Sequence, residues 1–237
     1  MPSGPFSGSG SVSGLGAGQI DAASLLVGLD TSSAGVFNAN GDLRFASHNP
    51  DMTDLNLGDV SVMLSAQVNE YANANLRKAG GSGSLTREGN VFTLDLGSVS
   101  LVGGSLTVFL DVFNDVVGPA DLLDGMFNIL DGDDFLYAGF DPFTDLGAGE
   151  AKGLSVGFNP LALGMFSDHF VLSFFGHNDS GYMAALADYT LNISVNVVDA
   201  SVPEPGTLVL MAIAFVALIL ARRRTAPFAR ARSFIRL

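Results

Sequence analysis

The chain has 237 residues, of which 48% are hydrophobic and only 15% are charged, so it can bury a sizeable core and is too apolar for wholesale disorder. All 24 acidic residues lie at or before Glu204, against five basic ones in the same stretch, and the resulting net charge of −19 excludes nucleic-acid binding. The lack of cysteine excludes disulfides, thiolate metal sites and cysteine nucleophiles.

Residues 1–84 combine a glycine-serine segment with a few strand patterns. Residues 1–20 contain the low-complexity run SGSGSVSGLGAG, which predicts a flexible or edge segment. In residues 21–84, apolar alternation predicts strands at Gly41–Ala46 and Asp59–Val68. This N-terminal part belongs either to the same β-sandwich as residues 85–199 or to an additional partial one.

Residues 85–199 carry the clearest strand signals. Within Tyr189–Val197, apolar and polar side chains alternate with a period of two, as in a strand with one buried face. Turn-rich pieces separate such strands, and this punctuation favours an all-β, antiparallel, immunoglobulin-like sandwich. Helix is expected only in the C-terminal tail, apart from a turn near Pro119–Gly125. Further predicted strands are Val91–Leu96, Ser105–Val112 and His169–Phe175, and predicted turns are Lys78–Ser84, Asp131–Asp134 and His177–Gly181.

Acidic residues are densest in the turn at Asp131, Asp133 and Asp134, with Asp141 and Asp145 downstream. Oxygen-rich loops suit calcium, although the EF-hand spacing is missing, so the choice lies between a calcium site and a solvated turn. Aromatic residues beside this loop could stack on a sugar ring or belong to the core. They are Tyr137, Phe140 and Phe143.

Catalytic signals are weak, and we expect no enzymatic activity. The histidines His48, His169 and His177 have no metal-binding spacing, although His169 and His177 flank one strand with Asp168 and Asp179 adjacent, which leaves a zinc site as an alternative. The serines in Gly97–Ser100 and at Ser105 lack the G-x-S-x-G pattern of a hydrolase. No other cofactor is indicated.

The C-terminal tail has three features in order: a Pro-Glu-Pro motif, an uncharged run from Thr207 to Ala221, and three consecutive arginines. The run predicts a short transmembrane helix over 207–221, because it is apolar on all sides. The arginines orient it with the acidic body across the membrane from the cytoplasm. Residues 225–237 then form a basic cytoplasmic tail. The motif consists of Pro203, Glu204 and Pro205, and the membrane-orienting arginines are Arg222, Arg223 and Arg224.

These features resemble the PEP-CTERM sorting signal of Gram-negative, exopolysaccharide-producing bacteria, here spanning 202–224. The resemblance implies an exosortase-type sorting protease as partner, cleavage at or near Pro203, Glu204 and Pro205, and an inner-membrane precursor with its body on the periplasmic side. The mature protein would then reach the cell surface or the medium. The tail departs from the family by continuing past Arg224 for 13 residues.

An exported protein also needs a leader, yet residues 1–43 hold no lysine or arginine and no apolar stretch longer than Leu25–Val27. We therefore expect the start codon to lie upstream or the gene to be truncated. The alternative is a helix inserted without a cleavable signal.

Residues 85–199 are similar to the immunoglobulin-like "choice-of-anchor" ectodomains found on such tails, through Gly164–Asp168, the following strand and Gly176–Tyr182. This similarity concerns fold rather than activity. The leading hypothesis is therefore a structural or adhesive surface protein associated with exopolysaccharide. The alternatives are a carbohydrate-binding module that uses the 131–145 loop, with or without calcium, and a degradative surface enzyme.

Overall fold

The computed structural model describes residues 4–131, 134–199, 211 and 213–219. The chain divides into two units, residues 1–198 and 199–237. The first unit consists of strands and turns, and the described helical residues, 211 and 213–219, belong to the second. The all-β prediction for the body is confirmed.

The described residues of the first unit form fifteen strands. They are β1 (Phe6–Ser9), β2 (Leu26–Leu29), β3 (Gly35–Asn49), β4 (Met52–Val68), β5 (Ala74–Gly81), β6 (Ser84–Glu88), β7 (Val91–Ser100), β8 (Leu106–Asn114), β9 (Leu122–Asp131), β10 (Phe135–Ala138), β11 (Phe143–Leu146), β12 (Ala151–Phe158), β13 (Gly164–His177), β14 (Met183–Ala185) and β15 (Tyr189–Val198).

Two sheets make up a β-sandwich. One has the strand order β10-β12-β8-β5, and the other has the order β11-β9-β13-β15-β7-β6, with β14 paired to β13. Rings from opposite sheets meet in the core: Tyr137 contacts Phe170 at 4.7 Å between centroids, and Phe158 contacts Phe166 at 5.4 Å. The Tyr189 hydroxyl also crosses the core and donates to the Ala74 carbonyl at 2.9 Å.

Period-two alternation explains why these segments become strands with one buried face. Along β15, the residues Tyr189, Leu191, Ile193, Val195 and Val197 are buried, while the intervening residues are partly exposed. Among the named strands that the structure describes, β15 departs from the antiparallel arrangement, since it pairs in parallel with β7. A parallel pair needs a long connection, and here the chain from β8 to β14 supplies it.

The turn expected near Pro119–Gly125 is wrong. Ala120 forms a parallel bridge with Glu70, and β9 begins at Leu122 and runs to Asp131. Leu123 is fully buried, so packing of this apolar residue against the core draws the segment into the sheet.

The N-terminal strands form two separate two-stranded sheets, β1-β2 and β3-β4. The long β3-β4 hairpin shows many exposed apolar side chains, including Met63 at 86% and Met52 at 70%. A cavity of about 550 Å³ is lined by residues of both sheets, including Leu26 on β2 and Leu43 on β3. Unlike β1 to β4, the next strands β5 and β6 belong to the two sheets of the sandwich.

The second unit contains helical residues at 211 and 213–219, and their side chains are exposed. Within the described part of the chain, no helix has both the length and the apolar character needed to cross a membrane. The remaining positions of the predicted helix over 207–221 lie outside the described residues, so the span stays a prediction.

Candidate functional site

The sites predicted from sequence fall largely outside the described residues. The sorting motif and the membrane-orienting arginines do so entirely, and their roles in cleavage and orientation stay predictions. Of the predicted calcium ligands, Asp131 ends β9 and Asp134 is exposed immediately before β10, so the calcium loop also stays a prediction. The predicted residues outside the described part are Pro203, Glu204, Pro205, Arg222, Arg223, Arg224 and Asp133.

The aromatic residues near that loop belong to the core. Tyr137, Phe140 and Phe143 are partly buried and pack against the core cluster, so they do not form an exposed sugar-binding row. The Tyr137 hydroxyl donates a hydrogen bond to the buried carboxylate of Asp168. Burial first, and then this hydrogen bond and the charge of Asp168, raise the pKa of Tyr137 well above its usual value.

The alternative of a zinc site shared by His169 and His177 is wrong. The two histidines are eight residues apart on β13, about 27 Å in an extended strand. His169 Nδ1 instead lies 2.8 Å from Asn192 Oδ1, and Asp168 points into the core. His177 Nε2 lies 3.1 Å from Asp124 Oδ1 and 3.3 Å from Asp145 Oδ1, on the outer face of the sheet.

The serines considered for catalysis occupy a different structural setting from a nucleophile elbow. Ser98 and Ser100 lie near the end of β7, and Ser105 precedes β8. An elbow places its serine on a turn between strand and helix. Here a strand leads into a strand, so the geometry that would activate a serine is not built at these positions.

A polar pocket forms instead at the end of the sandwich where β13 terminates. Its lining includes Asn69, Glu70, Tyr71, Asp121, Asn178 and Tyr182, and its volume is about 390 Å³. We call it the tyrosine pocket. Its size falls within the range of small-molecule sites, roughly 300–1,000 Å³. Sequence analysis missed it, because these residues come from three distant segments.

Asn114, which is fully buried at the end of β8, is hydrogen-bonded to the backbone of the pocket residue Asp121. Its Oδ1 accepts the Asn73 amide at 3.0 Å, and its Nδ2 donates to the carbonyls of Asp121 at 2.9 Å and Leu146 at 3.1 Å. One buried side chain thus satisfies backbone groups from three segments of the chain and joins these segments together.

Asp121 organises the polar wall of the pocket. It is only 2% exposed, and its Oδ1 accepts from Asn178 Nδ2 at 2.7 Å and from Asn69 Nδ2 at 3.1 Å. Its backbone amide donates to the Glu70 carbonyl at 2.8 Å. Buried carboxylates need such charge-assisted hydrogen bonds, and here these bonds fix the two amide side chains in place.

A tight turn after β13 presents Tyr182. Asn178 Oδ1 accepts from the Ser180 amide at 3.0 Å and from its hydroxyl at 2.6 Å. Gly181, with a φ of 88°, supplies the left-handed conformation that the turn requires. The backbone amide of Asn178 then donates to the Tyr182 carbonyl at 3.1 Å, which places the Tyr182 ring beside Tyr71.

The two tyrosines form an exposed aromatic wall. Their ring centroids lie 5.5 Å apart with planes tilted by 35°, and the residues are 69% (Tyr71) and 36% (Tyr182) exposed. Partial desolvation, followed by the proximity of Tyr71 and Asp121, raises the pKa of Tyr182 above its usual value. The pocket thus offers a ring face beside amide, carboxylate and hydroxyl groups.

A second cavity of about 440 Å³ adjoins the tyrosine pocket and shares Asn69 and Asn178 with it. Gln67 and Ser180 add further polar groups to its lining. The shared amides stand between the two cavities, so a chain-like ligand with repeated hydroxyls could contact both. This arrangement is suited to binding, with donors and acceptors spread along a surface.

Comparison with known proteins identifies the tail but not the body. Residues 201–224 match the family described as the PEP-CTERM protein-sorting motif. No curated protein matches the chain.

Several solved structures are similar to part of the chain at low identity. They include the Vibrio cholerae VesB protease (18% identity, 44% of this chain and 30% of that one, TM-score 0.32), the Escherichia coli fimbrial major subunit AggA (14%, 55% and 99%, 0.30) and a mutant of the enterotoxigenic E. coli adhesin CfaE (12%, 74% and 62%, 0.32). TM-scores near 0.3 do not establish a shared fold.

Proposed function

We propose that this chain is an exosortase-sorted surface protein whose β-sandwich binds extracellular polysaccharide through the tyrosine pocket. The sorting motif at 201–224 marks an exported protein that is processed at the membrane and ends at the cell surface or outside the cell. At that location, the proposed role of the protein is adhesion within the exopolysaccharide matrix. It does not require the chain to catalyse any reaction.

The observation that carries the binding role is the Tyr71–Tyr182 wall above Asn69, Asp121 and Asn178. A sugar ring has an apolar face that suits an aromatic ring, and hydroxyls at its rim that suit amides and carboxylates. Tyrosine also supplies contact area at low conformational cost. The pocket offers both kinds of contact on neighbouring surfaces.

Charge narrows the class of polysaccharide. The pocket contains the carboxylates of Glu70 and Asp121, and the body as a whole carries far more acidic than basic residues. Uronate or sulfate groups would be repelled there, since the nearby polar partners are mostly amides and hydroxyls. The ligand is therefore a neutral, hydroxyl-rich glycan.

Affinity electrophoresis of the full chain in detergent micelles, in gels that contain neutral or uronate-rich polysaccharide, tests this proposal. The wild type should be retarded by the neutral polymer, and Tyr182→Ala should abolish the retardation. Phe109→Ala is the matched control, because Phe109 is an exposed ring (51%) on β8 of the smaller sheet and does not line the tyrosine pocket. Retention equal in wild type and Tyr182→Ala, or retention only by the anionic polymer, would overturn it.

A further inference from the structure

The outer face of the larger sheet carries a mixed cluster of one imidazole and two carboxylates. Asp124 lies on β9, Asp145 on β11 and His177 at the end of β13. Donor atoms of the three side chains all lie within 4.8 Å of one another. The side chains of His177 and Asp124 are about three-quarters buried, with 22% and 25% exposed, while that of Asp145 is 63% exposed.

The two distances from His177 Nε2 to the carboxylate oxygens match the spacing of ligands around a shared cation. His177 Nε2 lies 3.1 Å from Asp124 Oδ1 and 3.3 Å from Asp145 Oδ1. Ligands bound to zinc at about 2.0–2.1 Å in tetrahedral geometry are separated by about 3.3–3.4 Å. A single proton on Nε2 can lie on a straight line to only one of the two oxygens, whereas one metal ion could bind all three side chains.

The backbone holds the carboxylates in position without the ion. Asp124 Oδ1 accepts the Asp145 amide at 2.9 Å, which links β9 to β11 beside the irregular pairing between Phe143 and Leu146. Asp145 has a φ of 65°, a left-handed conformation that turns its side chain out of the regular strand alternation. The cluster therefore needs little rearrangement to accept a ligand.

We propose that Asp124, Asp145 and His177 form a binding site for a zinc-type divalent cation. The imidazole decides the class of metal, since calcium and magnesium prefer oxygen ligands alone, whereas zinc combines histidine and carboxylate. Three protein ligands leave the fourth position to water. The bound ion would fasten the edge strand β11 to β9 and β13. This site is separate from the tyrosine pocket and does not depend on the proposed glycan binding.

Metal binding to the untagged full chain in detergent micelles tests the proposal directly. Zinc affinity is measured by competition with a chromophoric chelator, and cobalt is added as a spectroscopic probe of tetrahedral geometry. We expect one ion per chain, with the intense visible bands of tetrahedral cobalt. His177→Gln should weaken zinc binding by about tenfold or more, because the only nitrogen ligand is lost.

Two further variants separate metal binding from folding. Asp145→Gly removes a carboxylate at a position whose backbone conformation suits glycine, so the fold should persist while zinc binding weakens comparably. His169→Gln alters a histidine on the same face of the same strand, and its zinc affinity should equal that of the wild type. Absence of zinc binding in the wild type, or unchanged affinity in both His177→Gln and Asp145→Gly, would overturn the proposal.

Discussion

Tyr71 and Tyr182 come from opposite ends of the sandwich sequence, yet their rings lie 5.5 Å apart. Tyr71 precedes β5, at the edge of the smaller sheet, whereas Tyr182 follows β13, in the middle of the larger one. The pair therefore forms only when both sheets have assembled. Its rings stay accessible because they stand at the open end of the sandwich rather than in its core.

Tyrosine fluorescence should report ligand binding at this wall. The chain has four tyrosines and no tryptophan, so Tyr71 and Tyr182 contribute a large share of the signal. A neutral oligosaccharide should change the emission of the wild type. Tyr71→Ala should weaken binding by about tenfold, and Tyr71→Phe by less, because the ring face is kept. Equal losses in the two variants would assign the contact to the hydroxyl instead.

Asp121 should matter to stability as well as to binding. Replacing it with alanine leaves the Asn69 and Asn178 amides without their shared acceptor, and we expect the free energy of unfolding to fall by about 1–3 kcal/mol. Asp121→Asn keeps an oxygen acceptor and should cost less. Urea unfolding followed by circular dichroism measures both, and equal effects would show that the charge, not the hydrogen bonds, is what matters.

Asn114 should be among the most sensitive polar positions. Asn114→Ala removes three hydrogen bonds to backbone groups, so we expect a loss of at least about 2 kcal/mol in the free energy of unfolding. Asn38→Ala, at an exposed position on β3, is the control and should lie within about 0.5 kcal/mol of the wild type. A loss at Asn114 no larger than that at Asn38 would contradict the role of Asn114 in joining the three segments.

Tyr137 should make the sandwich sensitive to alkali. Its pKa is raised in the folded state, so the unfolded chain releases this proton first, at a pH of about 10. The stabilisation is complete below that pH and declines as the pH rises towards the folded-state pKa. The wild type should therefore lose about 1.4 kcal/mol more per pH unit than Tyr137→Phe above pH of about 10.

Unfolding in urea at a series of pH values from about 8 to 11 measures the difference between the two proteins. Tyr182→Phe is a useful comparison, because Tyr182 is more exposed and its loss should change the slope less. Parallel stability curves for the wild type and Tyr137→Phe would contradict the assignment.

Local patterns predicted the strands well, because alternation needs only neighbouring residues. The predicted strand Tyr189–Val197 corresponds to β15, which ends one residue later. Its parallel pairing with β7 was not predicted, since the choice of partner strand depends on contacts distant in sequence. The choice-of-anchor and immunoglobulin-like assignments stay predictions.

For the candidate sites too, the sequence indicates local clusters but not residues that the fold brings together. The density of aspartates predicts a site at Asp131–Asp134, whereas the tyrosine pocket combines Asn69, Asp121 and Tyr182, none of which belongs to a binding motif in its own segment. Likewise, the sequence indicates Asp145 only as an acidic residue downstream of that turn, whereas the fold brings it to His177. Short sequence windows do not contain that information.

Delivery to the cell surface by C-terminal sorting is the claim on which the proposed function depends, and the mature C-terminus tests it most directly. Mass spectrometry of the protein from the surface and medium fractions of its native host should find chains that end at or near Pro203–Pro205. Such chains would lack Arg222, Arg223 and Arg224 and everything after them. Intact Arg222–Leu237 on most of the surface and secreted molecules would contradict sorting by cleavage.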